Sequence, residues 1–488
     1  MKNFAKLFVV AVVVTLLVSV FAVPSAASTA LDPHTLKPGS DAVYFIMDPA
    51  EGQELPGDGS GKDAENPLKP IDHERFDPTA EANAIRNDFQ TSWYQAIEFM
   101  KDTGGTLVIC GPLNLGPDDT YGAVDQNNRD ICTPKFGTNT IKITSVYNGV
   151  DYRETNGAKL TVELPAGLSI SGQTIWENID IETIGANRLI AFNDFPTLVG
   201  EGVKCYPKEP LYAAVPSYYV SLSAGHRYEG GADINYNLVV QSGTYNMITA
   251  TLWGVTDRTG PGWTYNNEGI TQGKVTLEGT TKVVGGVYGT PQAKANFSGS
   301  TEIIINGGTY ECDLYGVGPK GMTNKDGLVT FRISGGDFSK AWGINPICPG
   351  YENNAPIAAL IDFSGWTGTK EDLAVIYNLA QKADVEFTTI QLPAGIEAAE
   401  LESMTAQTTP PPVVETTAPT GDTTTAPNSN NGPLVIGGDD ETDASVGVGG
   451  NNGGSNMGLI IGIVAGVVVI AAVIVVVIVL GKKKKENK

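Results

Sequence analysis

Histidine is nearly absent from this sequence, with three in 488 residues, and cysteine numbers only five. No CxxC pair, Cys/His zinc spacing, phosphate loop or dinucleotide fingerprint occurs, so zinc and nucleotide chemistry have no motif to stand on. The cysteines Cys110, Cys132, Cys205, Cys312 and Cys348 are widely spaced and odd in number. They cannot form a closed disulfide set, and none is expected to pair. Cys110 ends the strand-like run that starts at Thr106, which suits a small buried apolar residue. Basic residues are scarce as well, 32 against 54 acidic, for a formal charge of −22. Phosphate recognition rests on Lys and Arg, so such a surface repels nucleic acid and anionic lipid. The acidity suits solubility first, and basic partners or divalent cations second.

Long apolar runs occur at the two ends. Residues 1–27 carry Lys2 and Lys6, an apolar stretch from Leu7 to Val23, and the small residues Ser25, Ala26 and Ala27. That is the pattern of a cleaved export leader. Met457 to Leu480 is an uncharged run of 24 residues. At about 1.5 Å per residue it is long enough to cross a hydrocarbon core of about 30 Å. The tail 481–488 holds five lysines, and positive flanks stay cytoplasmic. The expected arrangement is a single-pass protein with its large part outside, on the cell surface and bacterial in character. Leader and tail hold seven of the basic residues and one acidic one, which leaves 25 basic against 53 acidic residues between them.

Composition divides that outer part. Residues 404–456 hold Thr408-Thr-Pro-Pro-Pro412, repeated Thr-Ala-Pro, and Gly- and Asn-rich stretches. They cannot bury a core and read as a disordered stalk, with a reach on the order of 40 Å. Upstream, residues 28–104 form an N-terminal segment. Its positions 79–101 place Ala80, Ala84, Ile85, Phe89, Trp93, Ala96, Ile97 and Met100 at helical spacing. From Leu107 the period changes to short strands broken by Gly, Asn and Asp.

Internal repetition then points to the fold. Four segments share a strand followed by a small-residue corner: Leu238-Val-Val-Gln-Ser-Gly-Thr-Tyr, Val275-Thr-Leu-Glu-Gly-Thr-Thr, Ile303-Ile-Ile-Asn-Gly-Gly-Thr-Tyr and Phe331-Arg-Ile-Ser-Gly-Gly-Asp-Phe. Their glycines Gly243, Gly279, Gly308 and Gly336 lie 36, 29 and 28 residues apart. Units this small cannot bury an apolar face alone, so they must stack as a solenoid. These corners, with Gly57-Asp-Gly-Ser-Gly-Lys-Asp-Ala-Glu-Asn-Pro67 before the helix and Gly104-Gly-Thr-Leu-Val-Ile-Cys-Gly-Pro112 after it, resemble the right-handed parallel β-helix proteins of the pectin-lyase-like superfamily. The likeness is closest to membrane-anchored β-helix ectodomains on bacterial surfaces. It implies an all-β solenoid over 105–365, with the helix at 79–101 capping one end. A small α/β cap at 366–403 closes the other, built from the helical spacing of 370–382 and the strand-like run from Phe387.

Enzymes of that superfamily are lyases, in which carboxylates hold calcium and an Arg or Lys takes the proton, or hydrolases with paired carboxylates. Neither set is plainly written in this sequence. Asp180 and Glu182 share one strand face, which reads as a solvated face. Two acidic stretches are rich enough for calcium, Asp48, Glu51, Glu54, Asp58, Asp63 and Glu65 in one and Asp118, Asp119, Asp125 and Asp130 in the other, but neither has a calcium-loop motif. No cofactor is assigned. His226, Arg227, Tyr228 and Glu229 form a polar cluster that reads as an exposed turn.

The candidate ligand site is Trp253, Asp257, Arg258, Trp263 and Tyr265, in the long connection between the first two repeats. Aromatic faces beside polar groups suit sugar rings. Trp253 also aligns with Tyr288, Tyr315 and Trp342, each preceding a Gly, as in a structural stack. The expected function is that of a surface-displayed, adhesin-like binder of extracellular polysaccharide or of a neighbouring surface. A tethered polysaccharide lyase or hydrolase, and an inert envelope spacer, remain as alternatives.

Overall fold

The computed structural model describes residues 31–69, 92–115, 130–163, 167–186, 188–192, 195–225, 235–251, 272–290, 299–318, 327–348, 358–380 and 388–405. The expected leader, the expected stalk beyond 405, the expected span 457–480 and the expected tail lie outside the described residues. Among the described residues no helix is long and apolar enough to cross a membrane.

The described part is predominantly β, with parallel strands stacked coil upon coil in three rows. The first row is β1 (Val43–Ile46), β2 (Gly105–Ile109), β5 (Gly137–Thr144), β10 (Gly172–Glu177), β13 (Thr197–Val199), β16 (Asn235–Val240), β18 (Gln272–Leu277), β20 (Ser300–Tyr310), β22 (Leu328–Asp337), β24 (Ala358–Asp362) and β25 (Thr388–Gln391). Each pairs in parallel with the next. The second row is β4 (Asp130–Cys132), β9 (Gly167–Ser169), β12 (Leu189–Ala191), β15 (Ser221–Ser223), β17 (Thr244–Thr249), β19 (Lys282–Tyr288), β21 (Asp313–Val317) and β23 (Gly343–Ile347). It joins the first row through β19 and β20. The third row, β3 (Pro112–Leu115), β8 (Lys159–Val162), β11 (Asp180–Thr183) and β14 (Lys204–Pro207), belongs to the early coils. One small antiparallel hairpin, β6 (Val146–Tyr147) with β7 (Val150–Asp151), stands apart.

Register explains the repeat. Leu238, Val275, Ile303, Phe331 and Ile361 sit opposite one another on successive first-row strands, all fully buried. Each contributes about 1.5–3 kcal/mol of burial. The corner motif has its own reason. Gly279 has φ +60° and Gly308 φ +89°, and a Cβ on either would stand 2.4 and 2.6 Å from a carbonyl oxygen of the coil below. Only glycine fits both constraints. The aromatic two residues after the corner turns inward, where the Tyr245 hydroxyl donates to the Ser242 carbonyl and that of Tyr310 to the Gly307 carbonyl, both at 2.8 Å. Tyr310 and Phe338 stack across adjacent coils at 4.8 Å.

At the start, helix α1 (Ser92–Met100) buries Trp93, Ala96, Ile97 and Met100 in the same core. The earlier part of the expected 79–101 helix lies outside the described residues. A one-turn helix, α2 (Tyr152–Asn156), follows the hairpin. At the far end α3 (Lys370–Ala380) is capped by Thr369, whose hydroxyl accepts from the Asp372 amide and donates to its carboxylate. It packs with α4 (Ala398–Thr405) through Leu373, Ile376, Tyr377 and Leu401. Helical structure thus runs to Thr405 and takes in the first two residues assigned to the stalk.

The chain reaches β1 from an unusual direction. Residues 31–42 cross the outside of the first row. The Leu31 carbonyl accepts from Asn237 on β16, and the Gly39 amide donates to the Thr140 carbonyl on β5. Between these points Leu36 is buried against Ile175, Leu198 and Val239, the outward side chains of β10, β13 and β16. This strap spans contacts some two hundred residues apart in sequence.

Candidate functional site

Alternation along parallel strands sends every second residue outward. On the third row that face carries Pro112, Lys159, Asp180 and Lys204 in one line, and Asn114, Thr161, Glu182 and Tyr206 in the next. Glu163 and Lys208 follow one step further on. The chain leaves β14 and returns over this face as two short 3₁₀ turns, Pro210–Ala214 and Pro216–Tyr218, each opened by a proline that presets φ. The Thr183 hydroxyl donates to the Tyr218 carbonyl and fastens the return.

Between sheet and turns lies a cleft of about 350 Å³. That is the lower end of the range for small-molecule sites, about 300–1,000 Å³. Asn114, Lys159, Thr161, Glu163, Glu182 and Lys208 line the sheet side; Glu209, Tyr212 and Tyr218 line the other. The two tyrosine rings stack face to face, centroids 3.9 Å apart and planes 6° from parallel. Burial and the neighbouring Tyr212 hold the Tyr218 phenol above its ordinary pKa. Leu211, 81% exposed, and the exposed Val215 give the turns an apolar lip.

Glu182 is the most enclosed charge of the cleft, 6% exposed. Its carboxylate accepts from Lys159 Nζ at 2.8 Å and from the Thr161 hydroxyl at 3.3 Å. Asn114 Nδ2 donates to Glu163 at 3.4 Å. Beside Glu182, burial and the Asp180 and Glu182 charges push the Tyr206 phenol up to about 12. Arg188 borders the cleft at Gly185 and donates to the carbonyls of Ile184 and Ala186; burial lowers its pKa.

Two expectations need correction. The Asp180–Glu182 face is not a solvated one: Glu182 is buried under the returning turns, and Asp180 lies 3.6 Å from Arg153 Nη1. The aromatic alignment holds between Tyr288 and Tyr315 but does not extend to Trp342, and Trp253 lies outside the described residues. Tyr288 and Tyr315 do stack at 5.6 Å, but their partners in register are Thr249 and Asn345, while Trp342 is 59% exposed. Trp342 shares the aromatic-before-Gly pattern without sharing register.

Trp253, Asp257, Arg258, Trp263 and Tyr265 lie outside the described residues, as do His226 to Glu229 and Asp118, Asp119 and Asp125. Asp130 opens β4. In the N-terminal acidic stretch Asp58 and Asp63 serve turns, whereas Asp48 accepts from the Asn114 amide on β3. Asp58 accepts from the Ser60 amide and Lys62, bonds to Ser60 and Lys62 that hold it at about 2, and Asp63 accepts from Asn66. Among the described residues no group of three His, Cys, Asp or Glu is arranged to hold a metal. Cys110, Cys205 and Cys312 are buried free thiols, and Cys348 is buried as well.

No family model matches the chain, and neither a curated protein nor a solved structure matches it.

Proposed function

We propose that this chain is a cell-surface glycan-binding protein whose ligand enters the cleft between the third row and the two 3₁₀ turns. The observation that carries the reading is the Tyr212–Tyr218 pair standing opposite Asn114, Thr161 and Glu182. Ring C–H faces of a sugar pack on an aromatic plane, while its hydroxyls need donors and acceptors on the other side. The cleft charges, Lys159 and Lys208 with Glu163, Glu182 and Glu209, nearly cancel. That favours a hydroxyl-rich ligand over a phosphate. In this reading the solenoid is a right-handed β-helix of the pectin-lyase-like kind. Leader 1–27 exports it, span 457–480 anchors it with the tail 481–488 inside, and the stalk 404–456 holds it off the membrane. The two ends of the sequence support the display, and the stacked coils support the scaffold.

Hydrolysis is the second reading, favoured by Glu182 on β11 and Glu163 just past the end of the adjacent β8 lining one cleft, with backbone positions, not carboxyl groups, about 8 Å apart on the strand lattice. Acid–base pairs of glycosidases need carboxyl groups roughly 5–9.5 Å apart. The Lys159 bridge on Glu182 argues for binding over catalysis.

The test is retention of the full chain on a panel of neutral and acidic polysaccharides, with product analysis of the same incubations. Retention lost in Tyr212→Ala and Tyr218→Ala supports the cleft. Shortened chains that vanish with Glu182→Gln would move the assignment to a hydrolase. Retention unchanged in both tyrosine variants would refute the site.

A further inference from the structure

The strap that precedes β1 is held at one end by a histidine between two carboxylates. His34 Nδ1 lies 2.8 Å from Asp32 Oδ1 and Nε2 2.7 Å from Glu278 Oε1, 244 residues away on the corner after β18. Asp32 also caps the 3₁₀ turn Pro33–Thr35 by accepting from the His34 amide. Glu278 accepts from Gln241 Nε2 at 2.9 Å. The remaining groups acting on the latch are Lys274 of β18, attracting Asp32, and Asn306 of β20, bonded to Glu278. Both ring nitrogens face acceptors, so only the imidazolium, which donates from both, satisfies the arrangement fully.

We propose that residues 31–42 are a pH-released clasp: protonated His34 latches the strap across the coils, and its deprotonation loosens the strap and uncovers the apolar seat of Leu36. The seat is Ile175, Leu198 and Val239, all nearly fully buried and all on the outer face of the first row. Without Leu36 this row of apolar side chains would face water.

The sign follows from the shifts. Burial pulls the His34 pKa down, but the bonds to Glu278 and Asp32 outweigh it and leave it raised above 6.5. A raised value stabilises the latch fully below 6.5 and releases it as pH rises through the folded value. Asp32 is lowered by its bonds to His34. For Glu278, burial acts upward but the bonds from Gln241 and His34 outweigh it. Their contribution is present above about 4.5 and lost in acid. The clasp is therefore tightest between about 4.5 and 6.5 and opens toward alkaline pH.

The experiment is hydrogen–deuterium exchange of the full chain from pH 5.5 to 9, corrected for intrinsic rates and read by mass spectrometry on peptides covering 31–42. Exchange at the imidazole C2 position gives the His34 titration in the same samples. Protection of the strap should fall about three- to tenfold as His34 deprotonates, the scale of one partly exposed charge-assisted bond. In His34→Gln the pH dependence should vanish, and in Glu278→Gln its midpoint should move down. Leu36→Ala should lower protection at every pH without moving the midpoint. Protection independent of pH in the natural chain, or the same dependence in His34→Gln, would overturn the proposal. So would a His34 midpoint at or below 6.5.

Discussion

Replacing Lys159 with Met tests whether the cleft is held by an ion pair or by packing. The change keeps most of the aliphatic stem and removes the ammonium 2.8 Å from Glu182. The Glu182 side chain is only 8% exposed, and it would be left with the Thr161 hydroxyl alone. Stripping one partner from a buried pair costs about 3–5 kcal/mol. Lys159 is one-third exposed, so water reaches one end of the pair and screens it. The expected cost is therefore smaller, about 1–2 kcal/mol. Glu182→Gln should cost less than Lys159→Met, because a neutral amide is easier to bury and can still accept from Thr161. The double variant should then recover part of the loss, with a coupling of about 1 kcal/mol. Urea unfolding followed by tryptophan emission reads all three, since Trp93 and Trp176 are buried in the early coils with ring centroids 6.1 Å apart. Additive costs in the cycle would refute the coupling. A Glu182→Gln variant less stable than Lys159→Met would refute the ranking.

Three further outcomes follow. Gly279→Ala adds a Cβ 2.4 Å from the Gln241 carbonyl at φ +60°, whereas Gly149→Ala, at φ +81°, meets nothing within 4 Å. The second should cost about 1–2 kcal/mol of backbone strain and the first clearly more, compared by denaturation midpoints. Burial pushes the Cys110 and Cys205 thiols up to about 12 and raises Cys312 as well. These three should resist iodoacetamide at pH 8 in the folded protein and react in urea, as peptide mass spectrometry would show. Phe331→Ala should cost about 3–5 kcal/mol in urea or thermal unfolding, since its ring fills the column between Ile303 and Ile361.

The strand repeat was legible because one constraint recurs in every coil. Leu238, Val275, Ile303 and Phe331 open the four quoted segments and are partners in register. Gly243, Gly279, Gly308 and Gly336 all have positive φ. Such positions leave a signature because few residue types satisfy them. The cleft left none. Glu182 looks like an outward residue of a half-buried strand until the return of 210–218 covers it, and that return has no period to detect. Its sequence marks are no more than the two prolines that open the turns and a Tyr in each, 212 and 218. Lys159 and Glu182 meet because two strands pair in register, which no local pattern announces. The strap was hidden for the same reason, since His34 and Glu278 are 244 residues apart.

The direction of the hydrogen bonds in the stacked rows has a mechanical consequence. Bonds between coils run along the stacking axis, so tension applied at the β25 end loads one strand's bonds at a time and peels the stack open. Unpeeling one repeat of 28 residues, the spacing of Gly308 and Gly336, pays out on the order of 100 Å of chain. Extension would proceed as a staircase of similar steps at low force, with coils refolding onto an intact template when tension drops. Such a stack would act as a shock absorber for whatever tethers it.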